Sequence, residues 1–223
     1  MRHERKYRID DVRPEQVVQA IRLNPVGFIT SYPDRWVNNI YFDSIDFSKL
    51  RENRDGISKR VKIRYRWYGP LENYTKGVLE FKMKENLLGK KEKRELDLHG
   101  LEDLNDIVQK IEKVTQAEKP LLPVLINRYK RKYFEAKGGK FRITVDEHLK
   151  FYPIFERNLS TPFSEVIEAD ESDWIKENAC ILEFKYPSDG DTLVDTISQN
   201  LPFRMTKFSK FATGLQKSVG ISV

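Results

Sequence analysis

The amino-acid sequence predicts an α+β fold in which antiparallel β-strands close into a barrel with a polar interior and helices pack on the outside. Three observations lead to this prediction. Residues 59–68 alternate cations with apolar side chains, which is the two-residue period of a β-strand with one charged and one apolar face. Segments elsewhere in the chain repeat the pattern with charges of both signs. Hydrophobic residues make up only 39% of the chain against 33% charged residues, fewer than in an average domain.

A single charged strand face is typical of an outer surface in contact with water, because antiparallel sheets often face solvent on one side. The pattern recurs, however, on strands spread over the whole chain. We therefore interpret these faces as one shared polar surface, which the lumen of a closed barrel would provide. The residues that share such faces are Glu4, Lys6 and Arg8; Glu80, Lys82 and Lys84; Arg142, Thr144 and Asp146; and Glu183 and Lys185.

In the first half of the chain, strands are recognised by two-residue alternation and helices by their caps and apolar spacing. Pro14 opens the first helix and Asn24-Pro25 ends it. Asp55-Gly56 marks a turn before the cationic strand. The predicted elements are a strand at 3–9, a helix at 15–23, a strand at 36–42, a short helix at 47–51, the cationic strand at 59–68, and strands at 77–84 and 90–97 that pair as a hairpin.

In the second half, a helix at 101–115 has apolar residues at helical spacing and acids near its start, so we expect it to pack on the outside of the sheet. The acidic run Glu165–Asp173 indicates a surface loop and a short helix within the least regular part of the chain, residues 151–178. The other predicted elements are strands at 124–134, 141–146 and 180–186, a hairpin turn at 137–140, a helix at about 191–200 and a basic tail at 205–211.

Length, charge and cysteine content limit the class of protein. The same strand pattern runs from residue 4 to residue 186, so we expect one domain over 1–223. The net charge of +6 suits a polyanionic partner, although 34 acids indicate that the charges are arranged rather than accumulated. Cys180 is the only cysteine, which excludes an internal disulfide and is compatible with a reducing compartment. No membrane segment or signal peptide is apparent, so we expect a cytoplasmic protein, with any membrane anchor supplied by a partner chain.

Lysine and arginine side chains crowded on one enclosed surface repel one another, so carboxylates or a ligand must neutralise them. Phosphate chains suit this role, because arginine binds two phosphate oxygens at once and lysine acts as a point charge. Carboxylates on the same surface make sense as ligands for Mg²⁺ or Mn²⁺ that bridges phosphate oxygens. The mixture therefore favours metal-dependent phosphoryl chemistry, in which positioning and electrostatics carry most of the catalysis.

Other chemistries fit the sequence less well. It contains neither a P-loop nor a G-x-G-x-x-G motif, and its three histidines lack metal-ligand spacing. Cys180 has no adjacent base and is more typical of a packed residue than of a nucleophile. Single-stranded nucleic acid needs aromatic residues beside the cations, but Tyr65 and Trp67 alternate with the cations and point away from them. Only Tyr68 departs from this segregation, and we expect no nucleic-acid partner.

Short motifs in a fixed order along the chain add a resemblance to this interpretation. They are Arg2-His3-Glu4-Arg5-Lys6-Tyr7, Asn39-Ile40-Tyr41-Phe42-Asp43, Lys62-Ile63-Arg64-Tyr65-Arg66-Trp67-Tyr68-Gly69, Glu80-Phe81-Lys82, Asn127-Arg128-Tyr129, Arg142-Ile143-Thr144-Val145-Asp146, Leu182-Glu183-Phe184-Lys185 and Lys207-Phe208-Ser209-Lys210-Phe211. Each motif is weakly specific, but in this order they are strongly so. From residue 2 to about 215 the chain resembles a VTC domain, the polyphosphate polymerase branch of the triphosphate tunnel (CYTH-like) superfamily.

The resemblance implies an eight-stranded antiparallel tunnel that contains Mn²⁺ or Mg²⁺. It implies that the γ-phosphoryl of ATP is transferred there to a growing inorganic polyphosphate chain. Carried over by motif, Glu183 would hold the metal. The residues implied as catalytic are Lys6, Arg64, Arg66, Lys82 and Arg142, and those implied as phosphate-binding are Lys91, Lys93, Arg128, Lys185, Lys207 and Lys210.

Two alternatives stay open at this point. The same tunnel would serve a triphosphate tunnel phosphohydrolase, acting on tripolyphosphate or nucleoside triphosphates with water as the acceptor. It would also serve a non-catalytic module that binds polyphosphate. The wider superfamily opens with Glu-x-Glu-x-Lys, whereas this chain has Arg2 at the first of these positions. The loss of a carboxylate that could ligate a metal favours the polymerase branch over the phosphohydrolases.

Overall fold

The structure, a computed structural model, describes residues 2–85, 88–115, 117, 119–136, 138–187 and 193–219. Strands and helices alternate along most of the chain. They are β1 (Arg2–Ile9), α1 (Pro14–Arg22), β2 (Ile29–Asp43), α2 (Ser48–Arg54), β3 (Lys59–Tyr68), β4 (Lys76–Glu85), β5 (Leu88–Asp97), α3 (Leu104–Thr115), β6 (Leu122–Glu135), β7 (Arg142–Pro153), α4 (Phe163–Ile167), a 3₁₀ turn (Glu171–Asp173), β8 (Ile175–Glu177), β9 (Cys180–Pro187), α5 (Leu193–Gln199) and α6 (Lys210–Ser218).

Hydrogen bonding between strands gives the order β1-β9-β7-β6-β2-β3-β4-β5, and β8 pairs with β7 as well. A mostly antiparallel sheet with helices confirms the predicted α+β class. β1 and β5 stand at the two ends of this order, so the sheet of the described residues is not closed and the predicted barrel is not confirmed. Within the described ranges, no helix is long and apolar enough to cross a membrane.

The chain divides into two compact units. The first unit comprises Met1–Trp36, Tyr129–Leu149 and Lys176–Phe208. The second unit comprises Val37–Arg128, Lys150–Ile175 and Ser209–Val223. Each unit has its own hydrophobic core. That residues 1–223 act as a single domain stays a prediction.

The core of the first unit forms between helices and the apolar faces of its strands. Val17 and Ile21 lie one turn apart on α1 and are fully buried. They belong to the same cluster as Tyr7 of β1 and Leu182 and Phe184 of β9. Burying each such side chain contributes about 1.5–3 kcal/mol. Because residues 182 and 184 face this core, residues 183 and 185 must project from the opposite face of β9.

The core of the second unit fixes the orientation of β3 in the same way. Tyr65 and Trp67 are buried, together with Ile107 and Ile111 of α3. Their polar atoms are satisfied inside the core, because the Tyr65 hydroxyl donates to the carbonyl of Tyr74 at 2.7 Å and Trp67 Nε1 donates to the carbonyl of Leu71 at 3.0 Å. The even-numbered cations of β3 therefore lie on the other face, as the alternation predicted.

Several element boundaries differ from the prediction. β2 begins at residue 29 rather than 36, because its polar first half, with Pro33 inside it, has no apolar alternation to recognise. β7 runs to residue 153 rather than 146. α6 was not predicted; the Ser209 hydroxyl caps its start by accepting from the amide of Ala212. Within 151–178, α4 overlaps the acidic run, where the sequence predicts a short helix, whereas β8 was not predicted. Residues 86–87, 137 and 191–192 of predicted elements lie outside the described residues.

Candidate functional site

In the second unit, three cations surround one buried carboxylate on the face of the sheet opposite the core. We call Arg64, Arg66, Glu80 and Lys91 the second-unit cluster. Glu80 is only 2% exposed. Arg64 donates to Glu80 Oε2 from Nε at 2.8 Å and from Nη2 at 2.6 Å, while Arg66 Nη1 lies 3.9 Å from the same oxygen. Lys91 Nζ contacts Glu80 Oε1.

The strand register explains this arrangement. Arg64 of β3 is directly opposite Glu80 of β4, and Glu80 is opposite Lys93 of β5. Lys91 is two residues from Lys93, so it reaches Glu80 along the diagonal of the antiparallel pair. Among these four residues, three positive charges face one negative charge in a partly buried site, which favours an anionic ligand.

The charges in the second-unit cluster shift one another's pKa. Burial alone would raise the pKa of Glu80, but Arg64, Arg66 and Lys91 lower it well below its usual range. Burial lowers the pKa of Lys91 to about 8, although Glu80 opposes this shift. At neutral pH both groups are therefore charged, and Lys91 loses its proton as the pH rises past about 8.

Two asparagines continue the second-unit cluster toward β6. Asn39 Oδ1 accepts from Arg66 Nε at 2.7 Å, and Asn39 Nδ2 donates to Asn127 Oδ1 at 2.7 Å. Asn127 Nδ2 is buried and finds no hydrogen-bond partner within the described ranges. A buried donor without a partner is costly, so this amide is available to an anionic ligand.

In the first unit, Glu183 is the centre of a second group of charges. We call Glu4, Lys6, Arg131, Asp146, Glu183 and Lys185 the first-unit cluster. Glu183 Oε1 lies 3.7 Å from Lys6 Nζ. Glu183 Oε2 lies 3.7 Å from Arg131 Nη2 and 3.5 Å from Lys185 Nζ. Lys6 also contacts Glu4 at 3.0 Å and donates to the carbonyl of Phe208 at 3.3 Å.

Arg131 is held by a buried carboxylate on the neighbouring strand. Its guanidinium bonds both oxygens of Asp146, with Nη2 donating to Oδ2 at 2.6 Å. Burial alone would lower the pKa of Arg131, but Asp146 raises it well above the usual value. The bidentate pair fixes the guanidinium plane and orients it toward Glu183.

Thr144 adds an uncharged group beside Glu183. It is directly opposite Glu183 in the pairing of β7 with β9. Its hydroxyl is buried and has no hydrogen-bond partner in the part of the chain that the structure describes. A hydroxyl both donates and accepts, so it suits a phosphate oxygen or a metal-bound water.

Three of the other residues predicted for the site are directly opposite a member of one of these clusters in the strand register: Arg142, Lys82 and Lys93. Arg142 is opposite Lys185 in the register, but its side chain is 45% exposed and Nε contacts Glu135 Oε1 at 2.7 Å. Lys82 lies on β4 opposite Lys91, and both Lys82 and Lys93 are exposed. Lys207 is exposed before α6, whereas Lys210 is buried at the first residue of that helix.

The structure does not bring Arg128 into either cluster. Asn127 and Arg131 are four residues apart on β6 and share one face, so Arg128 lies on the other face. Arg128 is half-buried there, and burial lowers its pKa while Glu72 and Glu171 oppose that shift. The sequence motifs select Arg128 and not Arg131, and a phosphate-binding role for Arg128 stays a prediction.

Two carboxylates were also not selected as site residues. Glu80 and Asp146 appear in the sequence analysis as members of charged strand faces and of motifs, and each is a bidentate or close partner of a buried arginine. The signal that could have found them is the coincidence of a carboxylate and an arginine on the same face of adjacent predicted strands. Using that signal requires the strand register, which sequence alternation does not provide.

A divalent metal fits this site only with help from a ligand. Within the described ranges, no group of three or more histidine, cysteine or acidic residues could hold a metal ion alone. Glu183 is a single carboxylate whose oxygens already face Lys6, Arg131 and Lys185. Mg²⁺ in phosphoryl-transfer sites is commonly bound by one or two carboxylates together with substrate phosphates and waters. Glu183, with the nearby Thr144 hydroxyl, fits that kind of shared site.

Comparison with known proteins relates nearly the whole chain to one family. The profile of the family described as "VTC domain" matches residues 1–219. No curated protein gave a significant match.

Three solved structures are similar over nearly the full length of both chains. A putative adenylate cyclase from Vibrio parahaemolyticus has a TM-score of 0.51 and 12% identity, covering 93% of this chain and 94% of that one. The putative adenylyl cyclase HpAC1 from Hippeastrum has a TM-score of 0.53 and 14% identity, covering 97% and 96%. Protein PH1819 from Pyrococcus horikoshii has a TM-score of 0.52 and 13% identity, covering 99% of each chain. At these identities the likeness shows the fold alone.

Proposed function

Because this chain belongs to the VTC domain family, we propose that it is a metal-dependent polyphosphate polymerase. The reaction transfers the γ-phosphoryl of ATP to a growing inorganic polyphosphate chain inside a basic tunnel. The substrates are therefore ATP and polyphosphate, and nucleic acid is not a partner. The predicted cytoplasmic location and a membrane-anchored partner both stay predictions.

The observation that carries this proposal is the surplus of positive charge around Glu80. Three cations share one carboxylate there, and two of them are buried arginines. Burying such a surplus is unfavourable unless an anion balances it. A chain of phosphates supplies dense negative charge that arginine and lysine can bind without any reading of bases.

The proposed step is a displacement at phosphorus. A terminal oxygen of the polyphosphate chain attacks the γ-phosphorus of ATP and forms a new P–O bond. The bond from the γ-phosphorus to the oxygen that bridges the β- and γ-phosphates breaks, and ADP leaves with that electron pair. Arg64 and Arg66 stabilise the charge that develops on the transferred group, and the chain lengthens by one phosphate.

The metal requirement rests on Glu183. Enzymes with this fold generally use divalent metals, and Mn²⁺ or Mg²⁺ would neutralise phosphate charge when bound. Glu183 would hold the metal ion together with phosphate oxygens. The Thr144 hydroxyl would form a hydrogen bond with a phosphate or with a metal-bound water. Lys6 and Lys185 flank Glu183 and would contact the same phosphates.

A triphosphate phosphohydrolase is the second candidate, and one comparison favours it. HpAC1 from Hippeastrum is described as a putative adenylyl cyclase that reveals a dominant triphosphatase activity. If this chain acts in the same way, its cations would bind a triphosphate, with water as the acceptor in place of polyphosphate. A phosphohydrolase is disfavoured by Arg2, which occupies the position of the first glutamate in the superfamily's opening motif and so removes a carboxylate that could ligate a metal.

Product analysis separates the two candidates. The purified protein is incubated with ATP and Mn²⁺, and the products are resolved on a polyacrylamide gel. A polymerase gives long, acid-labile polyphosphate, whereas release of orthophosphate alone would reject the proposal.

A pair of variants shows whether the predicted site produces the activity. Arg142→Ala should abolish polyphosphate synthesis, because it removes a predicted catalytic cation. Arg22→Ala is the matched control, because it removes an exposed arginine of α1 in the same unit and should leave synthesis unchanged.

A further inference from the structure

The polar face of β3, β4 and β5 changes in charge along its length. The strand register divides this face into successive rows of side chains, roughly 7 Å apart. One row has three cations, the next has two cations and one acid, and the third has one of each with a valine between them. In that order the rows are Lys62, Lys82 and Lys91; Arg64, Glu80 and Lys93; and Arg66, Val78 and Glu95.

Beyond Arg66 the face has no net positive charge. Lys76 of β4 is opposite Asp97 of β5, and Tyr68 ends β3 on the same side as Arg66. This end of the face is therefore poorly suited to a chain of phosphates. It has the aromatic ring of Tyr68 and the carboxylates of Glu95 and Asp97 instead, and these groups suit a part of a ligand other than phosphate.

A cavity of about 460 Å³ opens at this neutral end, within the size range of small-molecule sites. It lies within the second unit. Its lining combines the last residues of β3 with the start of β4 and the end of β5: Arg66, Trp67, Tyr68, Lys76, Gly77, Val78, Glu95, Leu96 and Asp97. Arg66 thus belongs both to the second-unit cluster and to the wall of this cavity.

Tyr68 differs in burial from the other aromatic residues of β3. Tyr65 and Trp67 are buried in the core, but Tyr68 is 43% exposed and lines the cavity. A large aromatic side chain that is half exposed offers a flat apolar surface to a ligand. Stacking of a nucleobase on such a ring contributes about as much to the free energy of binding as a hydrogen bond to a charged group does.

We propose that this cavity binds the nucleoside of the triphosphate donor, with the base stacked on Tyr68. Glu95 accepts a hydrogen bond from a ribose hydroxyl or the base amino group, as carboxylates do in nucleotide sites. Arg66 lies where the nucleoside ends and the phosphates begin. The phosphates then extend toward the all-cationic row of Lys62, Lys82 and Lys91. The donor therefore has one orientation along the face.

This inference rests on the proposed function, because it assumes a nucleoside triphosphate donor. It goes further by predicting that the ring of Tyr68 distinguishes ATP from inorganic tripolyphosphate. Both ligands carry a triphosphate, but only ATP has a base and a ribose. A change at Tyr68 should therefore affect one ligand and not the other.

Titration calorimetry with a non-hydrolysable ATP analogue and with inorganic tripolyphosphate tests the proposal. Tyr68→Ala should weaken binding of the ATP analogue roughly 5- to 30-fold, the lower part of the range for loss of one stacked base. Its affinity for tripolyphosphate should stay within about twofold of the unchanged protein. Tyr68→Phe keeps the ring and should bind both ligands normally. Tyr32→Ala is the matched control, because Tyr32 is a 57% exposed tyrosine of the first unit.

The outcomes separate the inference from the proposed function. Equal weakening of both ligands in Tyr68→Ala, or no weakening of either, would overturn the nucleoside site. An unchanged protein that binds neither ligand would overturn the proposed function and the inference together. If Tyr68→Ala does not fold, Tyr68→Leu keeps an apolar side chain without the π-face and should show the same selective loss for ATP. Glu95→Gln should likewise weaken only the ATP analogue.

Discussion

Replacing Glu80 with glutamine should destabilise the protein strongly, although the two side chains have nearly the same shape. Glu80 is buried, and it is the carboxylate shared by Arg64, Arg66 and Lys91. Glutamine keeps a hydrogen-bonding group there but removes the negative charge that two buried guanidinium groups share. Removing one partner from a buried ion pair typically costs about 3–5 kcal/mol. For a chain of this length that corresponds to a fall in Tm of roughly 6–20 °C.

The pH dependence of stability gives this prediction a second signature. The pKa of Glu80 is lowered in the folded protein, so its ion pairs stabilise the fold above the usual glutamate value near 4.5. That contribution is lost as the pH falls below 4.5 toward the folded-state pKa. The stability of Glu80→Gln should therefore fall less steeply than that of the unchanged protein over this acidic range.

Ligand rescue links the same variant to function. Tripolyphosphate can supply the negative charge that Glu80→Gln lacks, so its addition should raise the Tm of the variant more than that of the unchanged protein. Urea and thermal denaturation with and without tripolyphosphate measure both effects. Arg64→Ala is the comparison, with an expected loss of about 1.5–3 kcal/mol, because Glu80 then keeps Arg66 and Lys91. A Glu80→Gln protein as stable as the unchanged one, with no extra rescue by tripolyphosphate, would refute the reasoning.

Three further predictions concern other members of the two clusters. Glu183→Gln should weaken Mn²⁺ binding at least about tenfold in the presence of a non-hydrolysable ATP analogue. Electron paramagnetic resonance of Mn²⁺ measures this binding, and an unchanged affinity would show that Glu183 is not a ligand. The affinity for tripolyphosphate should fall as the pH rises past about 8, because Lys91 loses its charge there. The Lys91→Arg variant should keep its affinity over the same range, because arginine stays charged. Parallel pH profiles of affinity for the variant and the unchanged protein would contradict this. Arg131→Ala should cost about 3–5 kcal/mol in urea denaturation, because it removes the bidentate partner of the buried Asp146 carboxylate. Arg128→Ala, on the other face of β6, should cost less in the same measurement. Equal losses of stability in the two variants would mean that the assigned faces of β6 are wrong.

The sequence predicts the faces of β3, β4 and β9 because their apolar and charged residues alternate strictly. Burial of Tyr65 and Trp67 on one side of β3 leaves Arg64 and Arg66 on the other. The hydrophobic effect alone decides which way such a strand faces. This is why the predicted cations of β3 lie together around Glu80.

The same reasoning fails on β6, where both faces carry cations. Residues 128, 130 and 132 are basic, and residue 131 on the other face is basic as well. Alternation therefore cannot choose between Arg128 and Arg131. The choice depends on the carboxylate of Asp146 across the sheet, which only the paired strands bring within 2.6 Å of Arg131. The α6 helix was missed for a similar reason, because its Ser209 cap lies in a segment that was interpreted only by its charge.

The destination of the γ-phosphoryl group tests the central claim most directly. The protein is incubated with ATP labelled with ³²P at the γ-position and with Mn²⁺, and ADP, orthophosphate and chain phosphate are quantified from one reaction. Transfer to polyphosphate predicts one labelled chain phosphate for each ADP formed, with little labelled orthophosphate. One labelled orthophosphate for each ADP, with no chain longer than the triphosphate, would contradict the account.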